Sequence, residues 1–596
     1  EFSSKEVKGG GMGLRYMGRA ARGWLHGAPI AESLAFQPRL EALKKRWESG
    51  ERVFEALVEE VLLTNPHRAA VACVPDSGIL ERQEEASQEL LAAQRIKLTA
   101  DDIQVLRDQQ LSLKSFQETP DRPSVVKKLP ELRLSDIPPK VERVQVDWGR
   151  DENLTLGLHP AFTNGVEYVD LAFNLGALDD DDYYHLPLLL RCLEGLGLAK
   201  LSWDLLAREV ALNTGGLSFR TNVDRALGTR SLVGKLYVRI RMLEERRAPA
   251  LKLLTQVLTT TDWNNLARLK ELIVEMKNDY QGALVPRGHV FASSRSAAPL
   301  SEGGRIGELM GGLAQMDFLI RLAEVPKTKL KATAHRLQAL AESILGQPEP
   351  EALLTAEIGV LPILAREVSE LVGQLPFEAP PLRAHDPSKT SFAPKSVRVI
   401  PSTVGFVAHS VPGTLMDHAE HAAELVLSHR LKTGFLWERI RMKGGAYGAF
   451  SMPNGLEGTF SFATYRDPQL SASLEAFRES LQATRDNPLS KSDLRNTIIG
   501  TVSNDLSPRS PSEDGFLALQ RRHLGITDEL RQQKRDHLLR VRSHDLTEVS
   551  RKLEERFDEG FTFVLTSEAL ARTVEDVEGW VQDRTLNSAA EGPLGK

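Results

Sequence analysis

Arg441-Met-Lys-Gly-Gly-Ala-Tyr447-Gly448 joins a helical pattern running from about Met416 to Arg441 to the alternating stretch Gly458-Thr-Phe-Ser-Phe-Ala-Thr464. A helix that stops on glycines and hands over to a period-two strand is the repeating step of an α/β layer. Read alone, these residues describe a glycine-capped helix end with an arginine and a tyrosine at the surface. They also carry chemical capacity. Arg441 is permanently charged and offers a planar fork of donors, and Tyr447 offers one hydroxyl on a rigid ring. Two such donors converging on a peptide carbonyl could hold it as it becomes an oxyanion. Gly444, Gly445 and Gly448 let the backbone bend and approach a ligand with no Cβ in the way.

Working outward, Val397-Arg-Val-Ile400 and Val404-Gly-Phe-Val-Ala408 have strand character ahead of the helix. Leu470, Leu474, Phe477 and Leu481 form a helical stripe behind it, and Phe561-Thr-Phe-Val-Leu565 closes the unit. The order strand, helix, strand, helix predicts an α/β (α+β) sandwich over residues 381–596, a mixed or antiparallel sheet with helices on one face. A second unit of the same kind is expected over residues 141–380. There Leu154–Leu158 and Val166–Phe173 are strands with Asn164-Gly165 as the turn between them, and the run Asp179–Asp182 opens a helix through Leu186–Leu193. The Pro376–Pro381 cluster marks its end.

Between residues 96 and 140 a polar helix capped by Thr99 runs to about Phe116, followed by Pro120, Pro123, Pro130, Pro138 and Pro139, which reads as a linker. Residues 1–95 hold two amphipathic stretches and then Ala69–Val74, a short apolar run closed by Pro75-Asp76-Ser77-Gly78 and expected to be a buried strand. This predicts the tail of a further α/β domain. The chain opens at Glu1, and its first methionine is Met12.

At 596 residues the chain should hold three or four units, at roughly 100–200 residues each. A net charge of −6 is small for this size and indicates neither a nucleic-acid footprint nor a polybasic membrane surface. Cys73 and Cys192 are too few and too far apart for a disulfide scaffold or a CxxC motif, which suggests a reducing compartment. No G-x-S-x-G elbow, P-loop or GxGxxG occurs. His418-Ala-Glu420-His421 has zinc-binding residue types, but its histidines stand at i and i+3 and not at the i and i+4 of a zinc box, so a solvated or capping role is expected.

Taken together, the motifs resemble the presequence-protease branch of the pitrilysin-type (M16) zinc metalloendopeptidases. Arg441-x5-Tyr447 and Tyr465-Arg466-Asp467-Pro468 look like the C-terminal half of those enzymes. Gln117-Glu118-Thr119-Pro120-Asp121 is similar to their helical hinge, and Thr163–Tyr168 and Thr214-Gly215-Gly216 resemble their third domain. The resemblance implies four related domains in two bowl-shaped halves that close over an unstructured peptide, such as a targeting peptide. Residues 1–95 would end domain 2, 96–140 would be the hinge, and 141–380 and 381–596 would be domains 3 and 4. It further implies Arg441 and Tyr447 as catalytic residues that bind substrate together with Gly444 and Gly445. Zinc would be bound not by this chain but by an N-terminal partner half carrying the inverted box His-x-x-Glu-His, a place Arg191–Gly195 occupies here without ligands. The chain alone is then expected to be inactive. An organelle matrix or the bacterial cytoplasm is the implied compartment, and the alternative is a non-catalytic M16 scaffold or peptide-binding subunit.

Overall fold

The computed structural model describes residues 2–119, 121–151, 154–176, 178–375, 392–574 and 576–583. The expected boundary at Pro376–Pro381 lies outside them. Contacts divide the chain into a smaller unit, Gly11–Leu132, and a larger one built from the remainder.

The smaller unit is helical. Its helix Ala100–Glu118 starts as the sequence predicts, with Thr99 Oγ1 accepting the Asp102 N–H at 3.1 Å and Asp102 Oδ2 accepting the Thr99 N–H at 2.9 Å. Ala69–Val74 is not a strand: residues 67–76 have no regular structure, and Val71 and Val74 are largely exposed. A strand needs a neighbour for its backbone N–H and C=O groups, and no other strand occurs among the described residues of this unit.

The larger unit contains two six-stranded mixed sheets. The first comprises β1 (Asp147–Asp151), β2 (Leu154–Pro160), β3 (Val166–Asn174), β4 (Gly216–Arg225), β5 (Leu232–Leu243) and β6 (Glu351–Ala356), in the order β1-β2-β6-β3-β5-β4. The second comprises β7 (Lys395–Val399), β8 (Phe406–Pro412), β9 (Gly448–Asn454), β10 (Thr459–Tyr465), β11 (Phe561–Thr566) and β12 (Val581–Gln582), in the order β12-β7-β11-β8-β10-β9. From β2 and from β7 the two orders are the same, with one parallel step (β2 with β6, β7 with β11) and antiparallel steps elsewhere. The sheets are copies of one architecture. The turn at Asn164-Gly165 exists, with φ of 56° and 78°, but it does not close a hairpin. β6, nearly 200 residues away, is inserted between β2 and β3 and pairs with both.

Helices cover one face of each sheet, as expected, and the other face is closed reciprocally. The helix Gly288–Ala297, from the first sheet's half, lies on the second sheet, where Phe291 and Ala292 pack on Phe406, Ala408, Phe563 and Leu565. The helix Pro511–His523, from the second sheet's half, lies on the first, where Phe516 and Leu519 pack on Ala172, Tyr237 and Leu353. Each crossing helix meets its sheet at a glycine. A Cβ on Gly288 would lie 2.5 Å from the Phe406 ring, and one on Gly515 would run into Thr355 Oγ1. Cover on both faces explains why β3 is buried along nearly its whole length and why its carboxylates need partners: Asp170 accepts from Arg239 at 2.5 Å and Glu167 from Arg247 at 2.7 Å. Polar bonds finish each seam. Arg398 of β7 grips Asp317 with two bonds of 3.1 and 2.8 Å. His523 bridges the Tyr237 hydroxyl and Glu351, both at 2.8 Å.

Candidate functional site

The helix expected over Met416–Arg441 is interrupted. It runs from Glu420 to Thr433, breaks at Gly434, and resumes as a wider π-helical turn, Trp437–Lys443. This turn faces Ile440 into the core and leaves Arg441 outside. Its end is closed by its own backbone: the Gly445 N–H donates to Arg441 O at 3.1 Å and the Ala446 N–H to Ile440 O at 3.1 Å. Gly445 turns the chain with φ of 79°. Gly444 is required by the same closure, since a Cβ there would lie 2.6 Å from Ile440 O. Ala446 is buried, so Tyr447 faces out, and its N–H pairs with Tyr465 O at 3.0 Å where β9 begins beside β10.

Arg441 and Tyr447 therefore share one open face. The guanidinium carbon of Arg441 lies 5.8 Å from the centroid of the Tyr447 ring, which is 67% exposed. Among the described residues neither side chain has a hydrogen-bond or ion-pair partner, whereas the neighbouring cations are spent: Lys443 on Glu438 at 2.7 Å and Arg439 on Glu479 at 3.5 Å. Two donors are thus left facing solvent.

The sequence did not foretell what stands behind them. The Tyr447 ring meets Tyr465 edge-on at 5.7 Å, and Tyr465 meets His289 edge-on at 4.9 Å. His289 also stacks on Phe450 at 5.3 Å. It arrives on the crossing helix from the other sheet's half, so no local pattern could reveal it. Burial and Arg287 lower its pKa and favour the neutral ring. Two residues after Tyr465 the carboxyl of Asp467 is fully buried, which raises its pKa, and it accepts the Gln469 N–H at 2.8 Å.

No group of three or more His, Cys, Asp or Glu that could hold a metal ion occurs among the described residues. Residues of the right type are otherwise engaged. His418 Nδ1 accepts the Glu420 N–H at 3.4 Å, and His421 is buried beside Glu424, whose carboxylate accepts from the Thr414 N–H at 3.1 Å and from the Thr414 hydroxyl. In the segment Arg191–Gly195, Arg191 pairs with Glu275, Cys192 is fully buried, and Glu194 accepts the Phe219 N–H at 3.3 Å. These donor sets do not fit zinc.

Two solved structures share this fold: a conserved protein from Enterococcus faecalis V583 (15% identity, TM-score 0.52, 71% of this chain and 99% of that one) and a peptidase M16 inactive domain from Pseudomonas fluorescens (14% identity, TM-score 0.52, 71% and 98%). The family profile for the domain associated with subfamily C of the M16 peptidases matches residues 73–322, and that described as PreP C-terminal domain matches residues 395–568, together well over half of the chain. Presequence protease 1, chloroplastic/mitochondrial, of Arabidopsis thaliana is 26% identical over 98% of this chain, and the mitochondrial presequence protease of Danio rerio is 25% identical over 90%. The chain belongs to the presequence-protease family of M16 peptidases, as a half of the C-terminal type. It spans just over half the length of the relatives it matches, 54% in both of these. No described helix is long and apolar enough to cross a membrane.

Proposed function

We propose that this chain is the substrate-binding half of a zinc-dependent metalloendopeptidase that degrades unstructured peptides, targeting peptides among them, inside a closed chamber. The observation that carries the reading is the pairing of Arg441 and Tyr447 on one open face with no partner of their own among the described residues. In this reading the Arg441 guanidinium and the Tyr447 hydroxyl donate to the carbonyl oxygen of the bond to be cut. Their bonds strengthen as negative charge gathers on that oxygen, which is where such donors lower a barrier most. Gly444 and Gly445 keep side chains away from the peptide. Their N–H groups are engaged in the helix end, so they give access and not donors.

Zinc and its glutamate base are assigned to an N-terminal half, as a separate chain or segment, and no role given to Arg441 or Tyr447 requires a metal held by this chain. The division into the end of domain 2 (1–95), hinge (96–140), domain 3 (141–380) and domain 4 (381–596) is part of the same proposal, as is residence in an organelle matrix or the bacterial cytoplasm. The test is cleavage of a quenched peptide after this chain is combined with a zinc-box half. Tyr447→Phe should lower turnover about 100- to 1000-fold with the melting temperature unchanged. Unchanged turnover removes the catalytic role, and assembly without any cleavage favours a peptide-binding scaffold.

A further inference from the structure

Arg466 follows Tyr465 directly and holds a backbone conformation that suits it poorly, with φ of 51°. Glycine or asparagine takes this left-handed region at less cost, so an arginine there is kept in place by its surroundings. The surroundings do hold it. The Gly405 N–H donates to Asp467 O at 2.9 Å and the Asp467 N–H to Gly405 O at 2.8 Å, tying the turn to the sheet on the far side of Arg466. The only carboxylate in this turn, that of Asp467, points inward and is buried. Arg466 is therefore directed outward, with its guanidinium carbon 5.4 Å from the Tyr465 ring centroid.

That ring is the one against which Tyr447 packs at 5.7 Å. Two guanidiniums thus stand over two touching tyrosine rings, Arg441 over Tyr447 and Arg466 over Tyr465. Like Arg441, Arg466 has no ion-pair partner among the described residues. Gripping one carbonyl takes the donors already named. A second full charge adjacent to them suits an anion, and the planar fork of arginine matches a carboxylate with two parallel bonds. An extended peptide advances about 3.3 Å per residue, so one strand a few residues long reaches both cations.

We propose that Arg466 is a specificity residue of this site, binding a carboxylate of the peptide, either an acidic side chain or the free C-terminus, beside the carbonyl held by Arg441 and Tyr447. The assignment rests on the reading of that face as a peptide site. The test uses the full chain and four N-terminally fluorescein-labelled extended peptides of one sequence: Glu or Gln at one position, each with a free or an amidated C-terminus. Fluorescence anisotropy should show one carboxylate peptide binding about 10-fold more tightly than its amide counterpart, and which one identifies the source. Arg466→Asn, which suits the left-handed backbone, should abolish the preference, and Arg466→Lys should keep part of it. Arg441→Gln should weaken all four peptides alike. Equal binding of all four by the unaltered chain, or a preference that survives Arg466→Asn, overturns the role of Arg466 and leaves the peptide site standing. Failure of every peptide to bind overturns the peptide site and Arg466 with it.

Discussion

The two sheets follow the same strand order, yet the turn leading into the edge strand differs between them. Where β9 begins, Gly448 pairs with Tyr465 and Tyr447 precedes it; where β4 begins, Gly216 pairs with Arg241 and Gly215 precedes it. Tyr447 and Gly215 are thus equivalent positions, and each donates its N–H to the neighbouring strand, to Tyr465 O at 3.0 Å and to Arg241 O at 2.7 Å. At the second turn a tyrosine ring stands open, and the guanidinium over it has no partner among the described residues. At the first there is no side chain, the Phe2 ring fills the place, and Arg241 is committed to Glu6 at 2.7 Å and to Gly215 O at 2.7 Å. One architecture thus supports two different surfaces. What distinguishes the candidate site is not its fold but which donors the turn leaves free.

The comparison breaks most severely if Tyr447 is made like its counterpart. Tyr447→Gly removes ring and hydroxyl together, and the reassembled peptidase should lose about 1000-fold or more in turnover while the chain still folds. Retention of full activity would mean the two turns are functionally alike. A slightly smaller effect probes the reciprocal helices. Phe291→Ala and Phe516→Ala each empty a buried site on the opposite sheet and should each cost about 3–4 kcal/mol in denaturant unfolding, since both rings are at least nine-tenths buried. Costs differing by more than about 1 kcal/mol would show that one seam carries the assembly and the other follows.

Acid should then distinguish the sheets. His409 of β8 lies under the Phe557 ring at 4.0 Å, and burial lowers its pKa to about 4. Above about 6.5 it is neutral whether folded or unfolded. As pH falls from there toward 4 the unfolded chain takes up a proton that the folded one refuses, so stability drops by about 3 kcal/mol across that window. Unfolding compared between the unaltered chain and His409→Gln from pH 7 to 4 should show this contribution as a difference that changes by about 3 kcal/mol across the window. Glu167 of β3 carries the opposite sign. Burial raises the Glu167 carboxyl to about 7 in spite of Arg247, so its contribution is present below about 4.5 and is lost as pH rises through 7. Glu167→Gln should stabilise the chain at pH 8 by about 1 kcal/mol, because Arg247 keeps Glu367 at 3.1 Å as a partner. Destabilisation at pH 8 would mean the Glu167–Arg247 pair outweighs its desolvation.

Much of this was legible locally. Thr99 with Asp102 announced a capped helix, and β2, β3, β10 and β11 lie where alternation or unbroken apolar runs placed them. Ala69–Val74 reads just as clearly as a strand and is not one, because an apolar run supplies the wish for burial and not the neighbour that satisfies its backbone. The six-residue β6 was missed for a related reason. Glu351–Ala356 is rich in Ala, Leu and Glu, which favour a helix, and only its two partners define it as the strand between β2 and β3, whereas β11, of the same length, is rich in Phe, Val and Thr.

By itself the chain determined the capped start of the helix Ala100–Glu118, the turn residues at Asn164-Gly165 and the residue types at the Arg441–Tyr447 corner, because capping, φ preference and hydrophobic period act over a few neighbouring residues. Only the tertiary structure decided that the two sheets exchange covering helices, that His289 backs a tyrosine more than 150 residues away, and that Arg441 and Arg466 remain unpaired among the described residues while the cations beside Arg441 do not. Whether a charge is spent or free depends on what packing brings within 4 Å of it, and that is set by contacts between segments distant in sequence.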